Sequence, residues 1–340
     1  MSVSPTVSVT LGRLQYTQQV LRLRVRLATL PDVGVARITL PAAVRMDAAP
    51  GDEANLVLGG VGISGDDGPD TVLTGTVVRV RRGLDLLGVL IADAGAGLAT
   101  LRPAATFSAG TAADVVTALC QSAGARVGEV AAELPLAAYV ADQTRTAGEH
   151  IARLAALAGG TGVVGSDGSV NVVPMPEQAS VALRYGRDIT GLVVSETAPP
   201  PHQLIAVGAG PAGAADAPNA LRPTTGRLPD DARAPGAEAV WTPEPVLRTP
   251  GAAVTAGAAL QARAAAGARR LRAGCVLLPA VRPGDVVEIQ DLPDTAAEGR
   301  WLLTAVEHRL DPPSTHLEAV DAGAGSSLLG SLIAAVGNLL

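Results

Sequence analysis

The sequence predicts an α+β protein that is mainly β: two small antiparallel β-barrel domains separated by a helix-and-hairpin module. Three observations carry this. Period-two alternation of apolar and polar residues recurs on both sides of the middle of the chain. Between the two regions, residues 111–173 hold the clearest helix, turn and hairpin signals. Gly and Pro interrupt the alternating runs often enough to keep the strands short and antiparallel. The expected organisation is a first barrel domain at 1–103, the module at 104–178, a second barrel domain at 179–322 and an apolar tail at 323–340.

In the first region, strands are expected at 7–10, 20–29 and 35–40. The run Leu21-Arg22-Leu23-Arg24-Val25-Arg26-Leu27 alternates strictly, which puts aliphatic side chains on one face and arginines on the other. Arg22, Arg24 and Arg26 are read either as a solvated face or as an interface meeting acidic groups of a neighbouring subunit. Further strands at 55–58, 70–81 and 86–93, with a turn at Gly83, complete a small barrel or sandwich near Pro103. Asp66, Asp67 and Asp70 share a Gly-rich loop but lack the alternating ligands and closing Glu of a calcium loop.

The central module begins with Thr111 as N-cap and Asp114 in the first turn, where hydroxyl and carboxylate meet free backbone N–H groups. Val115, Val116, Leu119 and Cys120 form one stripe, and Gly124 stops the helix. A second helix over 147–158 puts His150, Ile151, Leu154, Ala155 and Leu157 near one face before Gly159-Gly160. Val163-Val164, the turn Ser166-Asp167-Gly168 and residues 170–173 read as a hairpin. So small a unit must dock on neighbours to bury its apolar faces.

Beyond it, strands are expected at 180–185, 192–196 and 204–207. Gly208-Ala209-Gly210-Pro211-Ala212-Gly213 fits the spacing of a dinucleotide-binding loop, with Asp230 and Asp231 downstream. Its context does not fit. Pro211 removes a backbone donor, no amphipathic helix starts at Gly213, and 214–245 is aperiodic, so a loop at 208–245 is expected and no cofactor. An alanine-rich helix is predicted over 252–272, with Arg269, Arg270 and Arg272 at its C-terminal end. Strands at 275–278, 286–290, 300–309 and 315–320, with a turn at Pro283-Gly284-Asp285, build the second barrel. In the tail, Leu328, Leu329, Leu332, Ile333, Val336, Leu339 and Leu340 fall at helical spacing and form an apolar stripe that is read either as a partner surface or as docking back on the same subunit.

Composition excludes several classes. A formal charge of −6 argues against non-specific nucleic-acid binding, and no nucleic-acid specificity is assigned; the chain has no lysine, so its positive charge rests on permanently charged arginines. Cys120 and Cys275 are expected buried and reduced, not a disulfide framework. There is no secretory signal pattern and no apolar run long enough to span a bilayer. His150, His202, His308 and His316 lack metal-ligand spacing, and no local motif supplies a nucleophile with its base. No catalytic residue, metal or cofactor is therefore assigned. His308 is read as a hydrogen-bonded residue at a strand end.

Taken together, these motifs resemble a known family. Thr111-Ala112-Ala113-Asp114-Val115-Val116, then Asp142-Gln143-Thr144 leading into Glu149-His150-Ile151-Ala152-Arg153-Leu154-Ala155, then Gly159 and Asp167-Gly168, look like the baseplate hub family of contractile phage tails. The alanine-rich helix, Arg282-Pro283-Gly284-Asp285-Val286-Val287-Glu288-Ile289, Gly299-Arg300-Trp301-Leu302-Leu303 and Val306-Glu307-His308-Arg309-Leu310 resemble the close of phage late control D proteins and of the hub portion of type VI secretion spike proteins. The likeness covers 111–322; Ala147-Gly148 stands where the family has an aromatic, and the 208–245 loop has no counterpart. It implies a homotrimeric, pseudo-hexameric ring joining a hexameric tail tube to a trimeric spike. The implied partners are itself, the tube protein, a separate spike protein and other baseplate proteins. Assembly is expected in the bacterial cytoplasm, before incorporation into a tail or injection particle. A tail-associated cell-wall hydrolase and a stand-alone ligand-binding protein are the alternatives; neither has a supporting motif.

Overall fold

The computed structural model describes residues 5–59, 69–176, 178–198, 202–208, 224–225 and 238–323. The N-terminal half contains β1 (Thr6–Leu11), β2 (Leu14–Tyr16), β3 (Arg22–Ala28), β4 (Val35–Pro41), β5 (Glu53–Gly59), β6 (Pro69–Arg82) and β7 (Leu86–Ala92), followed by a short helix α1 (Gly95–Thr100). The middle contains β8 (Ala105–Thr111), α2 (Ala112–Ser122), β9 (Val127–Val130), β10 (Pro135–Ala141), α3 (Ala147–Leu157), β11 (Gly160–Val164) and β12 (Val170–Pro174). The C-terminal half contains β13 (Val181–Arg184), β14 (Ile189–Glu196), β15 (His202–Gly208), β16 (Thr224–Thr225), β17 (Glu238–Pro243), α4 (Pro250–Ala266), β18 (Arg269–Cys275), β19 (Val286–Gln290), β20 (Gly299–Leu310) and β21 (Pro313–Asp321). The protein is mainly β, with two of its four described α-helices in the middle and the longest, α4, in the C-terminal half.

Strands of the two halves run into one 13-stranded sheet, in the order β14-β18-β21-β20-β3-β4-β7-β6-β5-β1-β2, with β19 on β20 and β13 on β19. Among the described residues no closed barrel forms, and β20 is the reason. It is long enough to pair with β19 through residues 299–302 and with β3 through residues 305–309, so the halves share a ladder. Each half still has its own core. Leu23, Val25, Ile38, Leu56 and Ile91 lie in one cluster, and Leu183, Leu271, Ile289, Trp301 and Leu317 in another. A third cluster joins α2, α3 and β12 to the start of α4 through Ala252, Ala253 and Ala256, which gives the two-helix unit the neighbour it needs.

Both helices of the middle unit carry capping boxes. Thr111 and Asp114 exchange side chain to backbone hydrogen bonds at α2, as the sequence predicts, and Thr146 and Glu149 do the same at α3. The hairpin β11–β12 is antiparallel with Gly168 at φ +81°, the left-handed conformation its Asp-Gly turn requires.

Within the stretch expected as an aperiodic loop at 208–245, β17 pairs in parallel with β15. Three other expectations need correction. The alanine-rich helix ends at Ala266, not Arg272, and Arg269, Arg270 and Arg272 lie on β18. From Arg270 on, exposed and buried residues alternate through Leu271, Ala273 and Cys275, a period that fits the ladder between β14 and β21 and not a helix. The strand expected at 275–278 accordingly ends at Cys275. Third, β8 and β10 pair as a two-stranded sheet where no strand was expected; β8 is largely exposed and has no apolar alternation to reveal it.

Candidate docking face and sheet edges

The seam between the halves is a charged ladder. Alternation on β3 turns Leu23, Val25 and Leu27 into the core and leaves Arg22, Arg24 and Arg26 on the outer face. Across the ladder, Arg309 lies opposite Arg24 and Glu307 opposite Arg26. Glu307 is 5% exposed, and its carboxylate accepts from Arg24 Nη2 at 2.7 Å and from Arg309 Nε at 2.6 Å. Burial pushes that carboxyl up, but the hydrogen bonds from Arg24 and Arg309 outweigh it and hold the pKa below the usual glutamate value. Arg26 meets Glu318 at 3.6 Å. A second link crosses the seam where Arg282 donates to the carbonyls of Val72, at 3.1 Å, and Thr71 on β6.

The same outer face continues beyond β3. Arg24 lies opposite Arg37 on β4, Arg37 opposite Leu90 on β7, and Leu90 opposite Arg79 on β6, so their side chains project from one side of the sheet. On the other side of the seam, Glu318 faces Arg272 and Arg272 faces Val193 on β14.

Among the open strand edges of the described residues, two lie at the ends of the antiparallel run that crosses the seam. β14 pairs with β18 alone, and Val193 is 63% exposed. β6 gives one edge to β5 up to Thr76 and the other to β7 from Thr76 on; Val77 still bonds to residues 51 and 52, and past it the first edge has no strand. Counting from β14 to β6 along the sheet gives eight antiparallel strands with an unpaired edge at each end.

His150, His308 and the two cysteines are held inside the fold. His150 Nδ1 lies 2.7 Å from the Tyr139 hydroxyl and Nε2 3.0 Å from the Asp142 carbonyl, so the ring ties β10 to α3. His308 lies inside β20, not at its end, and is fully buried with Nδ1 3.0 Å from Thr315 Oγ1. Burial, reinforced by the Arg282 charge, pushes its pKa down to about 3, so it stays neutral and cannot exchange protons near neutral pH. Cys120 and Cys275 are buried free thiols whose pKa values burial raises to about 11 and about 12. Among the described residues no group of three or more His, Cys, Asp and Glu side chains is placed to hold a metal ion. No described helix is long and apolar enough to cross a membrane.

Of the residues singled out in the sequence, Arg22, Arg24 and Arg26 are brought together on the sheet face. Leu328, Leu329, Leu332, Ile333, Val336, Leu339 and Leu340 lie outside the described residues, as do Asp66 and Asp67, Ala209 to Gly213, and most of the 208–245 loop. Sequence reasoning missed Arg37, Arg79, Arg272, Glu307 and Glu318 as members of the same face. Arg272 was hidden by the helix expected over 252–272, and for all five only the pairing of distant strands shows that they are neighbours.

No family model matches the sequence, and no curated protein matches it. Solved structures do. The 43 kDa tail protein of prophage MuSo2 from Shewanella oneidensis is 14% identical with a TM-score of 0.67, over 94% of this chain and 99% of that one. A tail protein from Neisseria meningitidis MC58 is 14% identical with a TM-score of 0.70, over 95% and 98%. The c3393 protein of E. coli, a type VI secretion component with structural similarity to the T4 phage tail proteins gp27 and gp5, is 12% identical with a TM-score of 0.57, over 89% and 73%. Over nearly its whole length, then, the chain has the fold of these phage tail and type VI secretion proteins.

Proposed function

We propose that the protein is a structural baseplate hub of a contractile tail or phage-derived injection system, without enzymatic activity. The observation that carries this reading is the end-to-end match to two tail proteins, over 94–95% of this chain and 98–99% of theirs. Agreement on that scale means the same arrangement of both halves and the middle unit, not one shared module. On this reading 1–103 and 179–322 are two barrel-like units, each around its own core, and 104–178 is the module between them.

The open edges of β14 and β6 support a ring. An edge strand with unmade backbone hydrogen bonds pairs with another chain unless it is blunted. Here the edges lie at opposite ends of one run of strands, so β14 of one copy would meet β6 of the next. A head-to-tail contact of that kind closes into a ring or grows into a fibre. Because the run from β14 to β6 has an even number of strands, antiparallel alternation continues across the junction. Three copies would give a ring with two similar units per subunit, matching a hexameric tube on one side and a trimeric spike on the other. The apolar tail residues 328–340 are assigned to the spike contact or to each other on the ring axis. Assembly would occur in the bacterial cytoplasm.

Light scattering of purified protein tests the reading. A trimer of the 34.0 kDa chain that binds the tube and spike proteins of its own tail system, with no turnover of peptidoglycan, is the expected result. A stable monomer at micromolar concentration, or reproducible wall lysis, would overturn it.

A further inference from the structure

The outer face of the sheet concentrates positive charge in a chain whose formal charge is −6. Arg22, Arg37, Arg79 and Arg81 are exposed, and among the described residues none of them is in an ion pair. Their placement is costly. Arg24 lies directly opposite Arg37 on one side and Arg309 on the other, and like charges directly opposite each other in a sheet are destabilising. Glu307 and Glu318 offset part of this at the seam, through Arg24, Arg309 and Arg26, but from β4 to β6 no acid shares the face. A cross-strand arrangement that works against folding and is not neutralised internally is explained by an anionic partner.

We propose that this face binds duplex DNA through its phosphate backbone, without reading sequence. Three features select that occupant over an acidic protein surface. Adjacent strands repeat at about 4.8 Å, so Arg24 and Arg37 stand on neighbouring strands and Arg79 two strands beyond Arg37, across Leu90, which spreads the guanidinium groups over a width of sheet that can meet several phosphates. The face has no aromatic residue, and its exposed apolar side chains, Leu86 on β7 and Val193 on β14, stand far apart along the run of strands with Leu90 half-buried, whereas protein interfaces of useful affinity are built on clustered apolar and aromatic anchors. Phosphate binding needs only charge and counterion release. The absence of aromatic platforms also selects duplex over single strand. The proposal rests on side chains of a single copy and does not require the ring.

The test is fluorescence anisotropy of a short labelled DNA duplex of arbitrary sequence with the full-length protein, repeated at several salt concentrations. Binding is expected with Kd of about 1–100 μM at physiological salt and a steep loss of affinity as salt rises. The combined variant Arg22→Ala, Arg37→Ala and Arg79→Ala should weaken binding at least ~10-fold and reduce the slope of log K against log salt by about 3. These side chains are exposed and outside ion pairs, so its melting temperature should not fall. The control variant Arg13→Ala with Arg145→Ala, also exposed but off this face, should bind like the parent. The proposal is overturned if the duplex does not bind, if both variants lose affinity equally, or if polyglutamate binds where the duplex does not. The edge variant Val193→Lys reads the ring separately, so failure of one reading is distinguishable from failure of the other.

Discussion

Arg24 on β3 and Glu307 on β20, 283 positions apart, are joined at 2.7 Å across the ladder that makes the two halves one sheet. Glu307 is almost completely buried, and Arg24 keeps half of its side chain in water. The pair therefore fixes the register of the seam while one partner remains available at the surface. Glu307→Ala would leave Arg24 and Arg309 facing each other without their shared acceptor. A loss of roughly 1–3 kcal/mol is expected, less than for a fully buried pair because both arginines can rehydrate. The pH dependence has a definite sign. The folded Glu307 pKa lies below its ordinary value, so its stabilisation is complete above that value and is lost as pH falls through the folded pKa. Melting curves should show parent and Glu307→Gln converging below about pH 4. A constant gap across the acid range would mean that the pair contributes through packing alone.

Asp93 behaves in the opposite direction. Its carboxylate accepts from Gly34 N at 3.1 Å and Gly95 N at 2.9 Å, yet burial outweighs these bonds and raises its pKa to about 6. A carboxyl with a raised folded pKa favours the folded state as pH drops through that value, until the unfolded chain also protonates near pH 4. The Asp93 contribution to stability should rise between pH 7 and 5, by at most ~3 kcal/mol. Asp93→Asn has no such proton to take up. The difference in melting temperature, parent minus variant, should grow as pH is lowered over that interval; a flat difference would show that the backbone bonds, not burial, set the pKa.

How far the sequence reveals this molecule depends on whether a feature is local. Thr111 with Asp114, and Asp167-Gly168, signal a cap and a turn within a few residues, and the capping box and hairpin are present. The end of α4 was misread because Ala, Leu and Arg are good helix formers. At Arg269–Cys275, propensity yields to a ladder with β14 and β21 that no local window contains. The seam was invisible for the same reason: nothing near Arg24 names Glu307. The arginine face was legible only as Arg22, Arg24 and Arg26, since Arg37 and Arg79 join it through pairings with β3 and β7.

Arg37 tests whether the face is kept for stability. It lies opposite Arg24, and an acid at that position would convert a repulsive cross-strand pair into an attractive one. Arg37→Glu should raise stability slightly, by about 0.2–1 kcal/mol, with the increase fading in high salt. A decrease in melting temperature would mean that Arg37 has a stabilising role in the isolated chain. In that case the charge of the face would need no partner to explain it.

The edge of β14 offers the most direct check of assembly. Val193 is a large apolar residue, 63% exposed, in the middle of a strand whose second edge has no partner among the described residues. Edge strands of proteins that remain monomeric are typically blunted by charge, proline or a bulge. The β14 stretch that includes Val193 and Ser195 has none of the three until Glu196; its register shift lies back at Ile189 to Gly191. Introducing lysine is the natural blocking device, because a charged head at the middle of the edge must be desolvated for another strand to approach. The side chain is already largely in water, so Val193→Lys should change the melting temperature of the separated subunit by less than about 0.5 kcal/mol equivalent. Association should respond strongly, with the sedimentation profile shifting from trimer toward monomer. Val240→Lys, on β17 outside the main sheet, provides the matched control, since that residue is also exposed. If Val193→Lys leaves the trimer intact while Val240→Lys breaks it, subunits meet through β17 and not through β14. If neither changes the mass, assembly does not use these edges, and the pairing of β14 with β6 is wrong.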